Sequence, residues 1–173
     1  MSQARVRSGT LDYFDKARSI AAATLVAAAI ASIIGAGLDW VTIEPPAGLD
    51  SGTDLGLPLE RQRASKPFTG LEAGDGRFVV AAGIVIIVAA VLLVWRRRGV
   101  YGWTSLGASV VIGAIAFADY RGIGDLSSAL SRRMDIVGLA RPAIGITLVA
   151  TGAVIGLLAS AAGIAATPYR RDV

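Results

Sequence analysis

The chain has 173 residues, of which 54% are hydrophobic, and its formal net charge is +4. It contains no cysteine and no histidine, which excludes disulfide bonds, thiolate metal sites, cysteine nucleophiles and the usual histidine ligand of haem. Soluble domains have about 45–50% apolar residues, so the apolar excess of this chain points to a lipid environment.

Four apolar stretches are each about long enough to cross a bilayer. They cover residues 20–37, 78–95, 103–120 and 144–166. A transmembrane helix needs roughly 20 mainly apolar residues to cross about 30 Å of hydrocarbon. Residues 79–94 contain no polar side chain, so a helix formed by them would have no face suited to water. We therefore predict an all-α fold, an integral membrane four-helix bundle that forms one membrane domain over residues 1–173.

Basic residues are distributed unequally between the segments that join the spans. The N-terminal segment, the inner link 96–102 and the C-terminal segment together hold nine basic and three acidic residues. The outer loops 38–77 and 121–143, counted with Asp119, hold eight basic and ten acidic residues. Because basic short segments stay in the cytoplasm, both termini are predicted to be cytoplasmic, with the first span retained and not cleaved as a signal peptide.

The inner link provides the strongest evidence for this topology. Its basic residues, together with the aromatic residues beside them, are predicted to anchor the chain at the inner membrane surface: Trp95, Arg96, Arg97, Arg98 and Trp103. Arginine strongly outnumbers lysine in the chain, a bias typical of GC-rich genomes, so the predicted location is the plasma (inner) membrane of a bacterium.

The segments outside the spans carry further predicted elements. A short helix over residues 8–19 is expected to lie on the inner surface, and an amphipathic helix over residues 125–134 on the outer surface. Residues 38–77 are rich in glycine, proline and aspartate and form a longer connection than is common. We expect this loop to be an ordered cap that includes a short hairpin.

Small residues recur at every fourth position in three of the four spans. Such stripes let helix backbones approach closely in a bilayer. Two interpretations stay open: the stripes pack only within the chain, or one of them, first of all that of the fourth span, faces another protein. The candidate packing or partner residues are Gly152, Gly156, Ser160, Ser109, Gly113, Ala31 and Gly35.

Charged residues cluster at the outer ends of the spans and are missing near the middle of the membrane. One interpretation is a ring of interfacial ion pairs that ties the helix ends together. The other is an outer vestibule that binds a cation or a charged headgroup. The residues concerned are Asp39, Asp75, Arg77, Asp119, Arg121 and Arg141.

Catalytic groups are not recognisable in the sequence. The polar residues within the spans are serine and threonine, whose hydroxyls usually bond to their own helix. No serine–base pair, carboxylate dyad or phosphate-binding loop with a lysine occurs in a recognisable context. We predict no catalytic residues, no cofactor and no metal site, whereas bound lipid is compatible with the apolar faces.

The first outer loop leads into residues 68–77, which read Phe-Thr-Gly-Leu-Glu-Ala-Gly-Asp-Gly-Arg. In this run and in its four spans, the chain resembles small uncharacterised membrane proteins of high-GC bacteria, a resemblance that implies no activity. The layout is also similar in outline to claudin-type four-span proteins. The paired cysteines of that family's first loop are missing, so its function is not carried over.

These features favour a non-catalytic accessory or assembly subunit of a larger membrane protein complex, such as an energy-converting or electron-transfer complex. The alternative is a small channel or transporter that acts as a homo-oligomer and has an acidic outer vestibule. No nucleic-acid partner is expected, because basic residues beside membrane spans account for the net charge.

Overall fold

The computed structural model describes residues 2–44, 66–73, 75–134 and 139–167. Most of these residues are helical. In chain order the elements are α1 (Ser2–Gly37), β1 (Asp39–Glu44), β2 (Lys66–Thr69), α2 (Gly70–Ala73), α3 (Gly76–Arg96), α4 (Val100–Met134), β3 (Leu139–Pro142) and α5 (Ile144–Ala165).

Four helices in the described ranges are long and apolar enough to span a membrane, which confirms the four predicted apolar helices and suggests a multi-pass membrane protein. Their outward faces expose large apolar side chains, including Ile34, Val88, Val111 and Leu158. In water such a surface would be a liability, whereas in a bilayer lipid covers it. The four candidate spans are Tyr13–Gly37, Gly76–Arg96, Val100–Ile123 and Ile144–Ala165.

The four long helices alternate in direction and form a closed ring. α1 packs against α3 and α5, and α4 packs against the same two helices, with the α1–α5 seam the most extensive. The core along these seams is filled by Leu25, Ile86, Ile112 and Val149, each at most 2% exposed. This arrangement brings the starts of α3 and α5 to the same end of the bundle as the end of α1.

Two predicted surface helices are wrong as separate elements. The segment 8–19 belongs to α1, which continues without a break to Gly37; residues 10–34 contain neither glycine nor proline to interrupt it. The segment 125–134 is the last part of α4. Residues 100–134 contain no proline, and isolated glycines such as Gly122 weaken a helix without ending it.

A three-stranded antiparallel sheet corrects the all-α prediction for the connections. Its strand order is β2-β1-β3, so both outer loops contribute to it. The β1–β2 pair fits the expected hairpin, although residues 45–65 between the strands lie outside the described ranges. Pro67 and Pro142 occupy the edge strands β2 and β3, where a missing N–H does not interrupt a ladder.

Candidate functional site

Trp40 lies at the centre of the sheet end, by which we mean the end of the bundle that carries β1, β2 and β3. The β1–β2 register shifts between Asp39 and Val41, so Trp40 is the extra residue of a β-bulge. Its side chain is 2% exposed, and its indole Nε1 donates a hydrogen bond to the Gly35 carbonyl oxygen at 2.9 Å. The Ala143 N–H donates to the Trp40 carbonyl oxygen at 2.9 Å. Trp40 therefore joins α1, the sheet and the start of α5.

The indole of Trp40 fits because glycines, which have no Cβ, lie beside it. A Cβ on Gly70 would lie 2.2 Å from the Cε2 atom of Trp40, and one on Gly145 would lie 2.8 Å from its Cδ1 atom. A Cβ on Gly76 would in turn lie 2.5 Å from the carbonyl carbon of Gly70. Two glycines of the run 68–77 thus have a steric role, because any larger residue would collide with the indole or the backbone.

Thr69 and Glu72 form a reciprocal cap at the start of α2. The Thr69 N–H donates to Glu72 Oε2 at 3.2 Å, and the Glu72 N–H donates to Thr69 Oγ1 at 3.3 Å. This arrangement is a capping box, and its Thr-x-x-Glu spacing is readable in the sequence. No comparable local pattern distinguishes Trp40 from the other apolar residues of the first outer loop.

The small residues on the α1–α5 seam bring the two backbones close together. A Cβ on Gly152 would lie 2.3 Å from Ser32 Oγ and 2.9 Å from the Ala28 carbonyl oxygen. A Cβ on Gly35 would lie 2.8 Å from the Gly145 carbonyl oxygen. Ala31, one residue from Ser32, is half-buried. These stripe residues therefore pack helix against helix within the chain.

The remaining stripe residues lie on the α4–α5 seam. A Cβ on Gly156 would lie 2.6 Å from Ser109 Oγ, and one on Gly113 would make ordinary contact with Ala153 at 3.6 Å. Ser160 is fully buried in the same seam region. The buried hydroxyls all donate their proton to a carbonyl oxygen one turn back in their own helix; they belong to Ser32, Ser105, Ser109 and Ser160.

Two carboxyl groups meet at the sheet end. Asp75 precedes α3, where its carbonyl oxygen accepts hydrogen bonds from the Phe78 and Val79 N–H groups at 3.0 and 3.3 Å. Its side chain is close enough to that of Asp119 on α4 for the two carboxyl groups to interact. The Asp119 Oδ2 atom is buried and has no hydrogen-bond partner in the described part of the chain. Two like charges here repel each other unless a proton or a cation lies between them.

The other four charged residues predicted for this end also lie there. Asp39 is half-buried in β1, Arg77 is exposed on the first turn of α3, and Arg141 pairs with Thr42 through the β1–β3 ladder. The Arg121 guanidinium lies 4.6 Å from the centre of the Phe117 ring, a cation–π contact. The structure thus gathers all six residues at one end, whereas the ring of ion pairs between them stays a prediction.

The opposite end, which carries Arg18 and the Arg96–Arg98 turn, is called the basic end below. Asp15 lies between two arginines there, in an ion pair with Arg18 and at 3.2 Å from Arg97 Nη2. The Arg18 side chain is only 5% exposed, and its Nε has no hydrogen-bond partner among the described residues. The Asp-x-x-Arg spacing on one helix face could have indicated this pair.

Arg97 ends α3 in an uncommon backbone conformation. Its φ of 54° and ψ of 33° lie in the left-handed region, which costs a residue with a Cβ on the order of 1–2 kcal/mol. Glycine would avoid this cost. The arginine instead places a guanidinium beside Asp15 at 3.2 Å, a contact that glycine could not make.

The predicted inner-surface anchors are all exposed at the basic end. Trp95 is 73% and Trp103 62% exposed, and the Arg96 guanidinium lies 5.5 Å from the centre of the Trp95 ring. Arg98 is likewise exposed. Their position fits aromatic and basic residues at a membrane–water interface, and the anchoring role stays a prediction.

No group of three or more acidic, histidine or cysteine side chains that could hold a metal ion occurs in the described ranges. A comparison with protein-family models found no family that matches the chain, and a comparison with curated proteins found no match. The geometry of the chain itself therefore has to carry the functional proposal.

Proposed function

We propose that the chain is a non-catalytic accessory or assembly subunit of a larger membrane protein complex. In this proposal it lies in the plasma membrane of a bacterium, with the basic end and both termini in the cytoplasm. The asymmetry between the Arg96–Arg98 turn and the acidic loops supports this orientation.

The filled interior is the observation that carries the proposal. Apolar side chains fill the centre of the bundle. The hydroxyls of the buried serines in the described helices donate to carbonyl oxygens of their own helices. A conducting pore needs a polar or hydrated path. The described helices of a single copy enclose no such polar path, but their outer faces are available to neighbouring proteins.

The outward face of α4 is the surface that we assign to the partner. Its Gly107 has no atom within 4 Å of the position that a Cβ would take, apart from its own helix. The face continues through Val110, Val111 and Phe117, which are 48–59% exposed. An open glycine between large apolar residues allows a neighbouring helix to approach closely.

The test is photo-crosslinking in native membranes followed by purification in a mild detergent. A crosslinking amino acid at Gly107 is expected to capture a stoichiometric companion chain. The same amino acid at Ile30, which is 46% exposed on α1 across the bundle, is expected to capture lipid. Energy-converting and electron-transfer complexes are the first companions to look for. Recovery of this chain alone, as single copies, would contradict the proposal.

A small oligomeric channel or transporter is the second candidate function. The Asp75–Asp119 contact favours it, because a buried carboxylate oxygen without a partner is costly unless it serves a ligand. In this reading the two carboxyl groups form the acidic vestibule, and several copies surround the path.

Asp119→Asn tests the carboxyl contact by its stability and the channel function by cation flux. We expect the variant to be more stable than the parent by about 0.5–1 kcal/mol, because an amide removes the like charge and can donate to Asp75. Unfolding in detergent by chemical denaturant measures this change. A channel function further requires that cation flux into proteoliposomes falls in Asp119→Asn, with Thr104→Val, an exposed site near the other end of α4, as the control. Flux that is absent or unchanged would remove the channel candidate.

A further inference from the structure

We propose that the groove between α1 and α3 at the basic end binds an anionic phospholipid, with an acyl chain along the groove and the phosphate beside Arg97. This site does not depend on a partner subunit, because it requires only that the bundle lies in a bilayer.

The groove has the size and lining that an acyl chain requires. Its volume is about 650 Å³, within the range of about 300–1,000 Å³ typical of small-molecule sites. It is shallow and open over most of its surface, so an acyl chain of the bilayer could lie in it without passing through an entrance. Small side chains on both helices leave this space, and the apolar walls consist of Ala22, Ala23, Val26, Ala90, Val91 and Val94.

One end of the groove is polar. Ser19 and Arg97 line it there, and the Arg97 side chain is 65% exposed. The Ser19 hydroxyl donates its proton to the Asp15 carbonyl oxygen at 2.9 Å, so the donors available to an anion at this end are those of Arg97. The groove is thus apolar along its length and cationic at one end. This matches a phospholipid, which has an apolar acyl chain and a polar headgroup.

Charge at the polar end of the groove favours an anionic ligand. The single Asp15 carboxylate is shared by the guanidinium groups of Arg18 and Arg97. The two guanidinium groups exceed the one carboxylate by a positive charge at this end of the groove. A phosphodiester in the groove would supply the missing negative charge and acceptor oxygens for the exposed guanidinium of Arg97. Basic pockets between transmembrane helices bind anionic headgroups by the same interaction.

The experiment counts the lipids that the full chain retains. The protein is reconstituted into vesicles of equal parts phosphatidylglycerol and phosphatidylcholine, extracted in mild detergent and examined by native mass spectrometry. We expect phosphatidylglycerol to be retained over phosphatidylcholine by about tenfold, the size of one charge-assisted hydrogen-bond contribution. Arg97→Gln should bring the two lipids close to parity. Arg98→Gln removes the same charge from the same turn, outside the groove, and should keep the preference.

A second variant tests the groove itself. Ala23 is exposed on its wall, so Ala23→Phe fills the space from outside and leaves the core intact. We expect it to lose the retained phosphatidylglycerol although Arg97 is still present. Several results would overturn the proposal: equal retention of the two lipids by the parent chain, the same loss in Arg98→Gln as in Arg97→Gln, or no effect of Ala23→Phe. Full displacement of the lipid by inorganic phosphate would also overturn it, because the site would then bind a free anion.

Discussion

Replacement of Trp40 with alanine is expected to lower the free energy of unfolding by about 3–5 kcal/mol, one of the largest effects that a single change in this chain can have. The side chain is 2% exposed and fills a space between three elements. Gly70 and Gly145 hold that space open, and neither can collapse into it without moving its backbone. The cavity would therefore persist, and the cost of large-to-small replacement rises with the cavity that is left.

Two further tryptophan variants make this prediction specific. Trp40→Phe keeps most of the ring but removes the Nε1 donor to the Gly35 carbonyl oxygen. Loss of this hydrogen bond should lower the free energy of unfolding by about 1–2 kcal/mol, in addition to the effect of the smaller ring. Trp103→Ala removes a tryptophan that is 62% exposed, and it should change the stability by about 0.5 kcal/mol or less. Denaturant titration in mixed micelles, followed by circular dichroism, measures all three. If Trp40→Ala and Trp103→Ala lower the free energy of unfolding by the same amount, the buried indole does not stabilise the sheet end as proposed.

The helices could be predicted because their signal is local. An apolar run such as residues 79–94 identifies a span wherever the chain folds. The ends were less predictable, because α1 and α4 continue beyond the apolar residues into segments that carry charges. Neither glycine nor proline occurs between residues 10 and 34 of α1 to mark a boundary there. The sequence pattern changes from apolar to amphipathic there while the backbone stays helical.

Local patterns predicted a short hairpin in the first outer loop, but they could not predict the three-stranded sheet. Its strands have four to six residues, and β1 pairs with β3, which follows it by about a hundred residues in the chain. Each edge strand contains a proline, a residue that argues against strand in a local reading. Only the closure of the helix ring, which brings both outer connections to one end, makes this pairing available.

The contacts of the small-residue stripes also required three dimensions. Spacing alone identified Gly152 and Gly156 as packing residues, but it did not say which helix they meet. In the structure Gly152 meets α1 and Gly156 meets α4, so one stripe serves two seams. By contrast, Gly107 belongs to no predicted stripe and lies open on the surface.

Arg18 and Asp15 were counted only as charges of the N-terminal segment, and burial of the Arg18 guanidinium is not visible in a sequence.

Gly152→Val is expected to open the α1–α5 seam and to cost at least about 3 kcal/mol, at the upper end of overpacking effects. The new Cβ would lie 2.3 Å from Ser32 Oγ and 2.9 Å from the Ala28 carbonyl oxygen. The hydroxyl can rotate away, but the carbonyl belongs to the backbone of α1 and can move only with the helix. Gly107→Val adds the same side chain to α4 in open space, and it should change the stability by less than about 1 kcal/mol.

A double-mutant cycle then locates the origin of the cost. Gly152→Ala should destabilise the chain by about 1–3 kcal/mol, whereas Gly107→Ala should stabilise it slightly, because alanine is the better helix former. Ser32→Ala removes the nearest atom and should recover part of the Gly152→Ala loss, with a coupling energy of about 0.5–2 kcal/mol. It should not rescue Gly152→Val, since the Ala28 carbonyl oxygen remains in place. Full rescue of the valine variant by Ser32→Ala would show that α1 and α5 are held apart by a side chain and not by their backbones.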